Sequence, residues 1–267
     1  MRDTPTITLH RSSYSDRIWN MTNQVICGDC LDVMKTMDDG SIDLTVTSPP
    51  YDKIRTYNKT LSWDFEGVAK ELFRITKDGG VVVWVVGDQR LQGSRTLTSF
   101  KQGLFFKEIG FNIDVMIYQK KNPMPFIQKD CYTPAFEYIF TLSKGKKKTF
   151  NPIMEECKYA GVTLSSSTSN KESMRTGKKT ILTTKSHKIK SNVFEYACVG
   201  TNFGHPAIFP PKLAYDMIFS FSNEGDTVLD PFAGSGTVGV DCKKLNRNFI
   251  LIEKEKEYID IINKRLL

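Results

Sequence analysis

Val228-Leu229-Asp230-Pro231-Phe232-Ala233-Gly234-Ser235-Gly236-Thr237-Val238-Gly239 is the stretch that decides the architecture of this chain. A short apolar strand runs into a glycine-rich turn, and a helical pattern follows. Glycine adopts turn dihedrals closed to other residues and lets the backbone approach a ligand closely. Gly234, Gly236 and Gly239 satisfy G-x-G-x-x-G, the fingerprint of a nucleotide-binding strand–turn–helix unit. Glu253 lies 17 residues beyond Gly236, at the end of the next expected strand. An acid there accepts hydrogen bonds from ribose hydroxyls. The pattern supports a nucleoside-containing cofactor. A mere packing turn is the plainer alternative, and it does not account for so long and specific a context.

Outward from this unit, apolar runs alternate with helical patterns, the signature of a sheet with crossover helices. Expected strands are Val25–Gly28, Asp43–Thr47, Val81–Val86, Asn112–Gln119, Phe136–Leu142, Thr227–Asp230 and Asn248–Ile252. Expected helices fall near Leu31–Met37, Asp64–Ile75, Thr98–Ile109, Lys212–Phe221, Thr237–Leu245 and Lys254–Leu266. Asp64 suits an N-cap, with Val68, Ala69, Leu72 and Phe73 behind it at helical spacing. The expected fold is a doubly wound, Rossmann-like α/β domain around a seven-stranded sheet.

The chain has 267 residues, 40% hydrophobic and 25% charged, which is globular composition and enough to bury a core. Its longest apolar run, Val81 to Val86, is far short of the ~20 residues a membrane helix needs. Residues 1–20 lack the apolar stretch of a secretory signal, so the expectation is a soluble, cytoplasmic protein without membrane association. Six dispersed cysteines read as reduced thiols, and Cys27-x-x-Cys30 lacks the further ligands of a zinc site. His10, His187 and His205 are too scattered for a metal triad, and no metal is expected.

Charge is uneven. Residues 144–190 carry 12 Lys/Arg against Glu155, Glu156 and Glu172, a local net of +9. Since the whole chain is at +7, the rest stands at −2. A basic segment on a near-neutral body suits a polyanion, most commonly nucleic acid; the alternative is a solvated lysine-rich loop. Periodicity is weak here and Leu164–Asn170 is nearly low complexity. The expected organisation is one domain in two halves, 1–143 and 195–267, with the glycine loop in the second and a basic insertion at 144–194 between them. Lys146, Lys147, Lys148, Lys178 and Lys179 are the expected contacts to such a polyanion.

Two features weigh against a nicotinamide dinucleotide and an oxidoreductase. Only 28 residues follow Gly239, too few for the remaining strands unless the chain is permuted. The acidic Asp230-Pro231-Phe232 entry suits an ammonium better than a pyrophosphate. S-adenosylmethionine has an ammonium, a ribose and no phosphate.

Thr47-Ser48-Pro49-Pro50-Tyr51 follows directly on an expected strand. Two prolines lock an extended, rigid turn and leave carbonyls pointing outward. Ser48 and the Pro49 carbonyl can accept from the NH₂ of a planar ring while Tyr51 stacks on its face. A surface turn with a packed tyrosine is the alternative.

The S-P-P-Y motif and the D-P-F-A-G-S-G-T loop together resemble the S-adenosylmethionine-dependent DNA amino-methyltransferases. The order, catalytic motif first and basic region between, is similar to the circularly permuted β group, of restriction-modification kind. The resemblance implies that Ser48, Pro49, Pro50 and Tyr51 serve a flipped base. It assigns Asp230, Phe232, Gly234, Ser235, Gly236, Thr237 and Glu253 to the cofactor. Gly28-Asp29-x-Leu31 is similar to the family's G-D-x-L segment, which would put Asp29 on the cofactor adenine. Lys121–Pro125, Phe136–Phe140, His205-Pro206-Ala207 and Phe209-Pro210 are further similar segments. The implied partner is double-stranded DNA, with a cognate restriction endonuclease as a further candidate and monomer or homodimer left open. Ser before Pro-Pro-Tyr is more usual among cytosine-N4 enzymes, and Asp or Asn among adenine-N6 enzymes. The resemblance therefore leans toward cytosine N4, with adenine N6 as the alternative.

Overall fold

The computed structural model describes residues 6–8, 23–50, 63–123, 130–166, 180–183, 185–197 and 209–267. Two compact units emerge: Met1–Asn151 with Asn192–Leu267, and Pro152–Ser191. The larger begins with β1 (Thr6–Thr8), β2 (Gln24–Cys27), α1 (Cys30–Met34), β3 (Ile42–Thr47), α2 (Phe65–Ile75) and β4 (Thr76–Val86). It continues through β5 (Arg90–Leu91), β6 (Ser94–Arg95), α3 (Thr98–Glu108), β7 (Asn112–Lys120) and β8 (Phe136–Ser143). The smaller unit holds β9 (Met154–Glu156), β10 (Thr163–Ser166), β11 (Thr180–Thr183) and β12 (His187–Ile189). β13 (Val193–Tyr196), α4 (Pro211–Phe221), β14 (Thr227–Asp230), α5 (Thr237–Lys244), β15 (Asn248–Glu253) and α6 (Lys256–Leu266) complete the larger one.

The main sheet runs β1-β2-β15-β14-β3-β4-β8-β7-β13. β8 is antiparallel to both its neighbours, and every other adjacent pair is parallel. The α/β expectation holds, but the sheet has nine strands rather than seven. The two that sequence reading missed, β1 and β13, are the edges. An edge strand needs one hydrogen-bonded neighbour and can be short. β1 has three residues, and β13 adjoins the basic segment, with only Phe194 and Tyr196 buried in its Val-Phe-Glu-Tyr alternation.

β4 shows why the centre was legible. Val81 to Val86 are all within 1% of complete burial, as expected of a strand covered on both faces. Val82, Trp84 and Val86 join the core cluster that includes residues of α1, α2 and α3. Their alternate neighbours face the other way, because successive strand side chains point to opposite faces. α4, α5 and α6 pack in succession, each against a strand of the sheet. Asp64 caps α2 as expected, its carboxylate accepting from the Gly67 amide at 2.9 Å.

The smaller unit consists of two short antiparallel ribbons, β9 with β12 and β10 with β11. Residues 144–151 belong to the larger unit. The Lys144 carbonyl accepts from the Gly79 amide and the Lys148 amide donates to the Gly79 carbonyl. Asn151 donates to carbonyls at the end of α4. No helix among the described residues is long and apolar enough to cross a membrane.

Trp84 is fully buried and its indole donates to Gln102 at 2.8 Å. Trp84→Ala should cost about 3–5 kcal/mol in urea unfolding. Leu104→Ala, on the exposed side of α3, should stay within about 0.5 kcal/mol of the parent.

Candidate active site

Four parallel strands, β2, β15, β14 and β3, lie side by side with their carboxyl ends along one edge. Ligands of open α/β sheets bind in the crevice at such an edge. The chain places Asp29 just beyond β2, Glu253 at the end of β15, Asp230 at the end of β14 and Ser48 just beyond β3. Two motifs about 180 residues apart in sequence thus meet on neighbouring strands.

The junction is a buried hydrogen bond. Thr47 Oγ1 donates to Asp230 Oδ1 at 2.8 Å. The same oxygen accepts from the Phe232 amide at 3.1 Å, which curls the chain into the loop. Burial raises the Asp230 carboxyl to about 7, offset in part by these two donors and reinforced by the charge of Glu253. A carboxylate deprived of water is easier to keep protonated.

Glu253 organises the glycine loop. Its Oε2 accepts from the Gly234 amide at 2.8 Å and its Oε1 from the Glu255 amide at 2.9 Å. Burial pushes this carboxyl above its usual range as well. Gly234 and Gly236 have φ of +51° and +77°, in the left-handed region that glycine occupies without steric cost. At Gly236 a Cβ would also lie 3.0 Å from two Ile262 carbons, so the loop has no room for a side chain there. Asp29 caps α1 by accepting from the Leu31 amide at 3.0 Å, and its other oxygen lies 3.4 Å from Lys254 Nζ. Cys27 and Cys30 are free thiols; burial pushes Cys30 up to about 12 and also raises Cys27, so neither is poised as a thiolate.

The Ser48-Pro49-Pro50 turn rests on aromatic rings. Trp63 donates from its indole to the Pro50 carbonyl at 2.9 Å. Its ring lies 5.2 Å from Phe232, edge-on, and 6.2 Å from Trp84. Phe65 and Phe106 extend the cluster below. Trp63 escaped sequence reading; its only local signal is its place directly before the Asp64 cap.

Several expected site residues stand elsewhere. The side chains of Ser235 and Thr237 turn away from the edge and accept from Arg265 Nη1 at 2.8 and 3.3 Å. Both residues are buried against α6, so at these positions only the backbone is left for a ligand. Lys146, Lys147 and Lys148, the expected DNA contacts, also stand away from the site edge. They follow β8, which runs antiparallel, and so emerge beside Gly79 at the opposite end of β4 from Val86. Six residues of β4 at roughly 3.3 Å each put them about 20 Å from the site edge. Lys147 moreover lies 3.8 Å from Asp114 and over the Phe221 ring. Tyr51, Lys178, Lys179 and His205 to Ala207 lie outside the described residues.

The Asp230 carboxyl gives a pH signature. With its pKa raised from 3.8 to about 7 on folding, the native state holds a proton that the unfolded state releases. Its contribution to stability is complete below pH about 4 and is lost as pH rises through about 7. Asp230→Asn should flatten the fall in unfolding free energy between pH 5 and about 7.5, read from urea titrations of the ligand-free protein.

The N6/N4 DNA methylase family matches residues 42–264. The chain is 46% identical over 245 residues to the orphan methyltransferase M.BamHII of Bacillus amyloliquefaciens, covering 87% of this chain and 91% of that one. It is 30% identical to the type II methyltransferase M.HinfI of Haemophilus influenzae, over 94% of this chain and 70% of the relative. Among solved structures, the cytosine-N4-specific PvuII DNA methyltransferase shares the fold at a TM-score of 0.67 and 19% identity, covering 91% of this chain and 86% of that one. The M1.HpyAVI–SAM complex does so at 0.62 and 24%, covering 91% and 98%. With two thirds or more of both partners covered in each case, the strands, the loop and the turn described above are those of a DNA methyltransferase, and the chain belongs to the N6/N4 DNA methylase family.

Proposed function

We propose that this enzyme transfers the methyl group of S-adenosylmethionine to N4 of cytosine in double-stranded DNA. The observation that carries the reading is the Thr47–Asp230 bond. It joins the turn suited to an amino-bearing ring to the loop suited to a nucleoside cofactor.

The residues present fit that cofactor. Each Glu253 oxygen accepts one backbone amide, which leaves acceptor capacity for ribose hydroxyls. Asp230 offers a buried carboxyl to a cationic group, and Asp29, beyond β2, offers a half-exposed one. When bound, S-adenosylmethionine supplies an electrophilic methyl on a sulfonium.

The chain's own contribution is positioning. An aromatic amine is a weak nucleophile because its lone pair is delocalised into the ring. Ser48 Oγ and the Pro49 carbonyl accept its two hydrogens and localise that lone pair, without a covalent intermediate. The amine lies inside the duplex, so the base leaves the stack to reach the edge. The choice of cytosine N4 over the alternative, adenine N6, rests on the resemblance alone, in which Ser before Pro-Pro-Tyr is the more usual form among cytosine-N4 enzymes. Phosphate contacts come from Lys158 and Lys185 in the smaller unit, together with Lys178 and Lys179, rather than from Lys146–Lys148.

Ser48→Ala should slow single-turnover methylation on the order of 100-fold while leaving S-adenosylmethionine affinity near normal. Nucleoside mass spectrometry of DNA methylated in vitro should show N4-methylcytosine; N6-methyladenine alone would overturn the target atom. Replacing Lys158 and Lys185 with Ala should flatten the dependence of DNA affinity on salt, because fewer counterions are released. The same change at Lys146, Lys147 and Lys148 should leave that slope unaltered.

A further inference from the structure

The S-P-P turn has an unusual deficit. Proline has no amide hydrogen, so neither Pro49 nor Pro50 can be tied down through its own N–H. A proline also restricts the residue before it, which stiffens Ser48 and Pro49. Pro50 precedes no proline, so its ψ, and with it the direction in which the chain leaves the turn, is not set by ring sterics. A donor to its carbonyl can set it. Trp63 supplies that donor at 2.9 Å.

Trp63 is itself well held. It directly precedes the Asp64 cap of α2, whose carboxylate is fixed on the Gly67 amide. Its ring packs edge-on against Phe65 at 5.9 Å and lies 6.2 Å from Trp84, which is fully buried. On its remaining side it meets Phe232 of the glycine loop at 5.2 Å. One side chain thus touches both halves of the site, through a hydrogen bond on one side and a ring edge on the other. The bond also draws the Pro50 carbonyl toward the indole, leaving the Pro49 carbonyl as the backbone acceptor for the base.

We propose that Trp63 is a positioning residue for methyl transfer, its indole N–H fixing the Pro50 peptide and its ring holding the S-P-P turn in register with the cofactor loop at Phe232. This rests on the reading of Ser48 and Pro49 as the acceptors of the target amine. Trp63 touches neither base nor cofactor in this role. Loss of its N–H alone should therefore appear in the rate of the chemical step and not in cofactor affinity.

Trp63→Phe keeps an aromatic ring and removes the donor; Trp63→Leu removes both. Single-turnover methylation at saturating DNA and S-adenosylmethionine should slow about tenfold for Trp63→Phe, because the Pro50 peptide loses its fixed orientation and the acceptors of the turn are misplaced. Its cofactor dissociation constant by calorimetry should stay within about twofold and its Tm near the parent's. Trp63→Leu should lose rate, cofactor affinity and Tm together, since the Phe232 contact also goes. A Trp63→Phe enzyme with the parent's rate overturns the proposal, and so does one whose rate falls only in proportion to cofactor affinity or Tm, because that is a packing role. Ser48→Ala run alongside separates the two ideas. If Ser48→Ala is slow and Trp63→Phe is not, only the role of Trp63 fails; if Ser48→Ala keeps the full rate, the reading of the turn fails with it.

Discussion

The hydrogen bond from Thr47 to Asp230 is the constraint on which the site depends. It spans 183 residues of sequence and forms only if β3 and β14 are neighbours in one register, as the pairing of Leu44 with Val228 and Thr45 with Leu229 makes them. With those strands adjacent, the turn after β3 and the loop after β14 have no choice but to face each other. The bond is made at a cost. Asp230 is a buried carboxylate with two short-range donors, and its carboxyl near pH 7 records how far they fall short of the water it lost.

What was legible in the sequence was whatever had a local cause. The glycine loop needs a strand, φ-permissive residues and an acid one strand later, and all of these lie within 26 residues of each other. β4 could be read because a strand buried on both faces is apolar without alternation. β1 and β13 were missed because an edge asks little of its sequence. Ser235 and Thr237 lie in the loop as expected, but their side chains are engaged elsewhere. A motif shows that a polar side chain is present, but not that an arginine 28 or 30 residues on, in α6, will claim it.

The lysines at 146–148 stand apart from the site for a topological reason. Composition gives the sign of a segment's charge, whereas its position depends on the direction of the strand that delivers it. β8 alone in the main sheet runs against both neighbours. That one reversal sends residues 144–151 to the edge remote from the site. It also brings the end of β7 and the start of β8 to the site edge. No periodicity over residues 136–143 distinguishes a parallel strand from an antiparallel one, so sequence alone could not choose between these ends.

The two halves of the site are also joined by means that differ in kind. Thr47 and Asp230 are linked through polar atoms in a dry interior, while Trp63 and Phe232 are linked through ring edges that are indifferent to pH. The polar link can change charge. A cation placed near Asp230, such as the ammonium of the cofactor proposed above, favours the carboxylate and draws off the proton that burial retains. Burial thus favours the protonated form of Asp230, and a cation beside it favours the charged one. The aromatic link holds the geometry constant across that change, because edge-to-face contacts and buried area do not depend on the ionisation of a neighbour. A site that must bind a cation and yet hold a neutral amine in line with it gains from separating the two tasks in this way: charge is adjusted at Asp230, and alignment is kept by Trp63, Trp84 and Phe232.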